Sequence, residues 1–331
     1  MTATVPVSQH WAISLTALAM ALSFNRAVDS IEALDGKLLI GLSALEGNIW
    51  DGELRILDGG GEDVARTACD CGIAMARFAR DGKLVLAARD DGDVYAYNAF
   101  DLSFVQKIEC HDDIVTAIAV DKFSAASFAS CSYDGSVSIF DMHHTKEGQT
   151  NTVYCVKGAH VGSVNEVSYN PSNSSLFCSV GQDGFLRTWD VRSKSSSECV
   201  AVFDLGLAGS SCVWSDIDGD NMIASGTDAG DIVWIDIRVN KVIAGGAVHG
   251  GRVRRICASR SHPGTVISCG DDCTINVSST SDTSVLSVVQ RIQLHGDYVA
   301  DISVDWTGAT AADIFSCSTD KTVQRSSYCY K

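Results

Sequence analysis

The chain has 331 residues, a formal net charge of −16 at neutral pH and an isoelectric point near 4.7. Such acidity disfavours nucleic acid and anionic membranes as partners and favours basic ones drawn in by long-range attraction, although it would also serve solubility alone. Thirteen cysteines, odd in number and without a C-x-x-C pair, suit neither a disulfide framework nor zinc, and point to a reducing compartment, cytosol or nucleus.

The first notable run, Trp11 to Phe24, is nearly free of charge. No Lys or Arg precedes it, no small-residue cleavage site follows it, and it is too short to span a bilayer, so a secretory signal is the weaker reading. The preferred one assigns part of residues 1–27 to the outer strand of the chain's last structural unit, with 28–331 as a single domain. Closure by the opposite terminus would remove an open sheet edge.

Leu38 to Leu57 forms a first, weak unit of paired apolar runs. Its connection, Leu45-Glu46-Gly47-Asn48-Ile49-Trp50-Asp51-Gly52, reads as a long loop where a tight turn is expected. An indole at the tip of such a loop has little to pack against in its own unit, and tryptophan is a favoured interface residue. The alternative is that Trp50 folds back onto the body of the protein. Cys69 and Cys71 follow, with no second ligand pair to make a metal site.

From Asp91 onward a pattern repeats. His111, Ser130, Asp134, Phe140 and Asp141 recur as His160, Ser179, Asp183, Trp189 and Asp190, then as His249, Ser268 and Asp272, then as His295, Ser316 and Asp320. Asp91, Asp134, Asp183, Asp228, Asp272 and Asp320 read as equivalent turn positions, 43 to 49 residues apart. Each lies between two short apolar runs, as in a hairpin, and another alternating run precedes it. That period and seven units predict an all-β fold, one seven-bladed WD40 β-propeller. The first unit is the one expected to break the frame, since its His is missing.

His, Ser and Asp are also the side chains of acyl-transfer triads, but a catalytic set is assembled once and this one recurs in unit after unit. The better reading is a buried hydrogen-bonded strut inside each blade, with no catalytic residue. Cys131, Cys269 and Cys317 directly follow the blade Ser and read as small apolar strand residues. In the polar stretch Met142 to Thr150, His143 and His144 lack a third ligand, so a solvated loop is expected rather than a metal site.

The stretches Lys37-Leu38-Leu39-Ile40-Gly41-Leu42-Ser43, Trp50-Asp51-Gly52-Glu53-Leu54, His111-Asp112-Asp113-Ile114-Val115, Ala247-Val248-His249 and Asp271-Asp272-Cys273 carry a more specific likeness. From about Leu34 to Val323 the chain resembles the WD-repeat subunits of the methylosome, the methylosome-protein-fifty family. That resemblance implies a non-catalytic adaptor of a type II protein arginine methyltransferase, in a hetero-octamer of four enzymes and four propellers, present in cytoplasm and nucleus. It implies that Trp50 enters the barrel domain of the enzyme, with Asn48, Ile49 and Asp51 beside it. A basic residue preceding that tryptophan in the family is missing here. The substrates implied are Arg-rich, such as histone tails and spliceosomal Sm proteins. No Gly-rich nucleotide loop is visible, so cofactor binding would lie in the partner. Trp189-Asp190-Val191-Arg192 and Asp236-Ile237-Arg238 suggest a second reading, a substrate receptor of a cullin-type ubiquitin ligase. An enzymatic propeller is a third, for which no unrepeated polar cluster speaks.

Overall fold

The computed structural model describes residues 20–46, 49–122, 124, 127–142, 152–193, 198–215, 221–259, 264–280, 286–308 and 310–329, with Glu46 and Ile49 as backbone only. His143, His144, Asn48 and most of the apolar N-terminal run fall outside these residues.

The strands form seven four-stranded antiparallel sheets. Blades 1 to 6 are continuous in sequence, over residues 27–69, 73–109, 115–156, 164–204, 209–247 and 253–292. Blade 7 takes three strands from 299–329 and its outermost, Ala21–Ser23, from the other end of the chain. Ala21, Leu22 and Ser23 pair with Gln324, Val323 and Thr322. Phe24 N–H adds a bond to the Lys321 carbonyl at 2.8 Å, and Arg325 N–H one to the Met20 carbonyl at 3.0 Å. These bonds occupy the edge that blade 7 would otherwise leave open.

The first strand of each blade lies against the first strands of its neighbours, so these strands ring a central axis. Their apolar faces and those of the second and third strands fill the spaces between blades. Trp189, Trp234, Phe128, Phe140 and Phe177 are the largest side chains in that core with almost no exposure. Within blades the rings stack, Phe128 on Phe140 at 5.1 Å and Phe177 on Trp189 at 6.2 Å. Cys131, Cys178, Cys269 and Cys317 are fully buried among them, as small apolar strand residues would be.

All seven first strands share one irregularity. Each skips a residue in its pairing with the second strand, between Val28 and Ser30, Ile73 and Met75, Val115 and Ala117, Val164 and Glu166, Gly209 and Ser211, Val253 and Arg255, and Val299 and Asp301. A bulge leaves one residue outside the ladder and re-aims its side chain. The seven skipped residues are Asp29, Ala74, Thr116, Asn165, Ser210, Arg254 and Ala300, and all of them line a single funnel at one end of the axis.

Candidate functional site

In blade 4 the repeated polar residues form one chain. Trp189 Nε1 donates to Ser179 Oγ at 2.9 Å, Ser179 Oγ lies 2.8 Å from His160 Nε2, and His160 Nδ1 lies 2.8 Å from Asp183 Oδ1. The other Asp183 oxygen accepts the Val161 backbone N–H at 3.1 Å, tying the incoming loop to the hairpin turn. Blade 6 repeats this with His249 at 2.9 Å from both Ser268 and Asp272, and blade 7 with His295 at 2.8 Å from Ser316 and 3.2 Å from Asp320. In blade 3, His111 Nε2 meets Ser130 at 2.7 Å, while its Nδ1 meets Ser136 at 2.7 Å and Asp134 only at 3.4 Å. The His and Ser side chains are buried, so no substrate reaches them, and the bonds join the incoming loop to the second strand and to the hairpin turn within one blade.

The frame breaks in three blades, not in the first alone. In blade 1 Arg26 comes just before the first strand and holds Asp51 through its two terminal guanidinium nitrogens, one of them at 2.9 Å. In blade 2 Asp70 occupies the loop and pairs with Arg89, whose guanidinium also lies 3.9 Å from the centre of the Tyr95 ring. Blade 5 has neither His nor the turn Asp. The turn residue with positive φ is Gly92, Gly135, Gly184, Gly230, Cys273 or Lys321, and the residue before it is Asp in every case but blade 5, where it is Ala229. Asp228 therefore sits one residue too early to be the equivalent turn position. It faces Arg252 of blade 6 at 3.3 Å instead. Regular spacing concealed this shift, because one residue is less than the variation in blade length.

Burial pushes the His160, His249 and His295 imidazoles below their ordinary pKa, against the pull of Asp183, Asp272 and Asp320. Burial raises those carboxyls, but the hydrogen bonds they accept outweigh it and hold them below the usual carboxylate range. In both cases the unfolded chain takes up protons more readily, so stability is lost as pH falls, first below about 6.5 for the histidines and then below about 4 for the carboxylates. Asp29 opposes this, because burial pushes its carboxyl up to about 6 and its protonation favours the fold as pH falls; with Asp29→Asn in place, the thermal midpoint measured by circular dichroism is expected to drop steadily from pH 7.5 to pH 5.5. A midpoint that rises over that interval would contradict the strut account.

The first-unit insertion is strand rather than loop. Lys37–Glu46 and Ile49–Leu57 stay paired out to Leu45 opposite Trp50 and Glu46 opposite Ile49, so the connection between the strands is short and the hairpin extends beyond its neighbours. Leu45 and Trp50, directly opposed, share a face and are 61% and 44% exposed. Sequence reasoning missed Leu45, although carrying the strand alternation on from Leu39 through Ser43 would have placed it in the strand that pairs with that of Trp50. The indole does fold back: its N–H donates to Asp90 on the blade 2 turn, and its ring covers Gly72, where a Cβ would lie 1.9 Å from Nε1. Gly72 is thus required for this approach. Asp51 points to Arg26, so much of its charge is already neutralised inside the blade.

Trp50 also stands on the rim of the axial funnel, a space of about 480 Å³ that Asp90, Tyr133, Arg252 and the bulge residues line. Below it the axis is closed by charges. Arg77 pairs with Asp301 at 3.1 Å, Arg255 with Asp301 at 3.4 Å, and Arg255 with Glu166 at closer range. Arg77, Glu166 and Asp301 are each at most 7% exposed, and burial raises the Glu166 carboxyl. A second space, of about 370 Å³, opens on the other side of these charges. The W-D-x-R strings lie elsewhere, at the ends of third strands. Arg192 folds onto Asp190 at 2.9 and 2.7 Å, and Arg238 onto Asp236 at 3.1 and 2.8 Å.

Seven four-stranded blades, a strand from one terminus closing the ring and recurring His-Ser-Asp struts define a WD-repeat β-propeller. The WD domain, G-beta repeat family matches residues 102–141 and 143–190, which contain most of blades 3 and 4. Over 280 residues, 81% of this chain and 80% of the relative, the chain is 25% identical to Methylosome protein WDR77 of Xenopus laevis. It is also 28% identical over 127 residues to Histone-binding protein MSI1 of Saccharomyces cerevisiae, covering 38% of this chain and 28% of that one. With Protein transport protein sec13 of Emericella nidulans it shares 23% identity over 65% of this chain and 76% of that one. A chain in the crystal structure of the Mitotic Checkpoint Complex superposes with a TM-score of 0.78 over 99% of this chain and 100% of its own, at 15% identity, a likeness of fold alone.

Proposed function

We propose that this propeller is a non-catalytic adaptor of a type II protein arginine methyltransferase, and that it helps to present Arg-rich substrates for symmetric dimethylation. The observation that carries the reading is the long blade 1 hairpin, with Leu45 and Trp50 exposed side by side, in a chain similar to a methylosome protein along four-fifths of its length. An exposed, rigidly mounted tryptophan beside an aliphatic residue suits insertion into a partner pocket. In this reading Trp50 is the anchor, Asn48, Ile49 and Asp51 flank it, and enzyme and propeller assemble four to four. Histone tails and Sm proteins are the substrates, in cytoplasm and nucleus. A net charge of −16 would gather such basic tails beside the active site.

Reconstitution with the methyltransferase tests this. Adding the propeller is expected to raise methylation of an Arg-rich tail several-fold at low salt, and the gain to shrink as salt shortens the Debye length from about 30 Å at 0.01 M to about 8 Å at 0.15 M. An enzyme whose rate is indifferent to the propeller at every salt concentration would refute the reading.

A further inference from the structure

The first strands carry a second regularity, beyond the axial charges. At three junctions the side chain three residues past the bulge accepts the backbone N–H four residues past the bulge of the next blade. Ser303 takes that of Ala33 at 2.9 Å, Glu32 that of Phe78, and Ser168 that of Trp214 at 3.1 Å, so each stitches the inner edge of one blade to its neighbour. Blade 6 has Cys257 there, turned to the Ile302 carbonyl at 3.6 Å. In blades 2, 3 and 5 the position holds Arg77, Ala119 and Val213, none of which can accept a hydrogen bond. The N–H groups left without a side-chain acceptor are those of Val120, Tyr169 and Ala258. In blade 3 the N–H two residues earlier, that of Ile118, leaves the sheet towards Met75 Sδ at 3.3 Å, which fixes the direction of this edge. Val120, Tyr169 and Ala258, with Ala119 and Val213, line one pocket of about 150 Å³ beside the far axial space. Backbone donors are obligatory hydrogen-bonding groups, so three of them at one opening point to an acceptor that enters it.

The same opening has cations to spare. Lys122 lines both spaces and is exposed, and among the described residues it has no carboxylate within ion-pair distance. Arg80 lacks one too: its guanidinium holds the Met142 carbonyl at 2.9 Å, and its Nε is buried with no partner. The turn that presents it sets Arg80, Asp81 and Gly82 at φ 50°, 52° and 76°, a left-handed run that residues other than glycine rarely enter. Of the carboxylates on this wall, Glu166 is paired with Arg255, Glu32 holds the Phe78 N–H, Asp121 is 2% exposed and Asp81 lies out on the turn. We infer that this far opening is a binding site for a carboxylate side chain, supplied by an acidic segment of a partner protein. An ionised carboxylate only accepts, which matches a pocket whose free groups donate, and Lys122 and Arg80 stand at the rim as its counter-ions. A chain of net charge −16 repels acidic peptides at long range, so such a partner needs local cations, and the rim supplies them. The opening lies on the other side of the axial charges from Trp50, so it stays free with the methyltransferase in place. It gives the propeller a second partner, whichever enzyme sits on Trp50.

The test is a titration of the isotope-labelled full chain with acetyl-Gly-Glu-Gly-amide and its glutamine counterpart, followed by the backbone amide resonances. The glutamate peptide is expected to bind with a dissociation constant of about 1 mM, the strength of a pair of charge-assisted hydrogen bonds, and to move the amides of Val120, Tyr169 and Ala258. The glutamine peptide is expected to bind about tenfold more weakly. Lys122→Gln and Arg80→Gln, each confirmed folded by its melting curve, are expected to weaken the glutamate peptide about tenfold. Lys241→Gln, which removes the same charge from the outer edge of blade 5, leaves it within about twofold. Ala119→Ser puts a hydroxyl where blade 4 has Ser168, so it satisfies the Tyr169 N–H from within and is expected to weaken the peptide about threefold. No binding to the wild-type chain, a glutamine peptide that binds as tightly, equal weakening by all three cation variants, or shifts confined to residues outside the opening would each overturn the inference.

Discussion

Replacing Arg255 with alanine is expected to destabilise the propeller by about 3 kcal/mol, the cost typical of removing one partner from a buried ion pair. Glu166 is 4% exposed, and its ion-pair partner among the described residues is Arg255. Without that guanidinium, a carboxylate that burial already pushes up is left with only the field of Arg77, which is itself paired with Asp301. Asp301 keeps Arg77 at 3.1 Å, so the loss falls chiefly on Glu166. The double variant Arg255→Leu with Glu166→Leu is expected to recover most of the stability, since apolar replacement of both partners removes the orphaned charge. Urea unfolding of the single and double variants measures this; a double variant no more stable than Arg255→Ala would show that the axial charges do not act as a pair.

The second large effect is on association. Trp50→Ala is expected to weaken methyltransferase binding by about 2–4 kcal/mol, a hot-spot loss equivalent to roughly 30-fold to 1,000-fold in dissociation constant. Folding should change by no more than about 1 kcal/mol, because the side chain sits on the face and truncating it opens no cavity in the core. Leu45→Ser removes the opposed residue and is expected to cost binding about 1 kcal/mol, with Trp50 still held by Asp90. Surface plasmon resonance on the purified partners separates these values. Binding by Trp50→Ala equal to that of wild type would place the contact elsewhere.

The fold was legible in sequence where the struts are complete. His, Ser and Asp recur in blades 3, 4, 6 and 7 because a buried imidazole needs partners on both nitrogens, and only fixed offsets supply them. Blades 1 and 2 tie the incoming loop to the blade with other pairs, Arg26 with Asp51 and Asp70 with Arg89, and blade 5's Asp228 pairs with Arg252 at the start of blade 6 instead; none of these shares a letter pattern with the rest. Trp50 stood out because an indole in a Gly-flanked turn is odd on local grounds. Its fold-back onto Gly72 and Asp90 was not readable, since those residues belong to the neighbouring blade. The funnel was hidden for the same reason: Asp29, Asp90 and Ser210 are far apart in the chain and meet only when the ring closes. A faint signal existed, for in the four blades with a strut histidine the bulge residue is the fifth after it: Thr116, Asn165, Arg254 and Ala300.

The claim that most needs a direct answer is the identity of the partner. Affinity purification of the tagged chain from cells, followed by quantitative mass spectrometry, gives it. The account predicts a protein arginine methyltransferase in equimolar amount. Recovery of a cullin adaptor in its place, or of no methyltransferase at all, would contradict it.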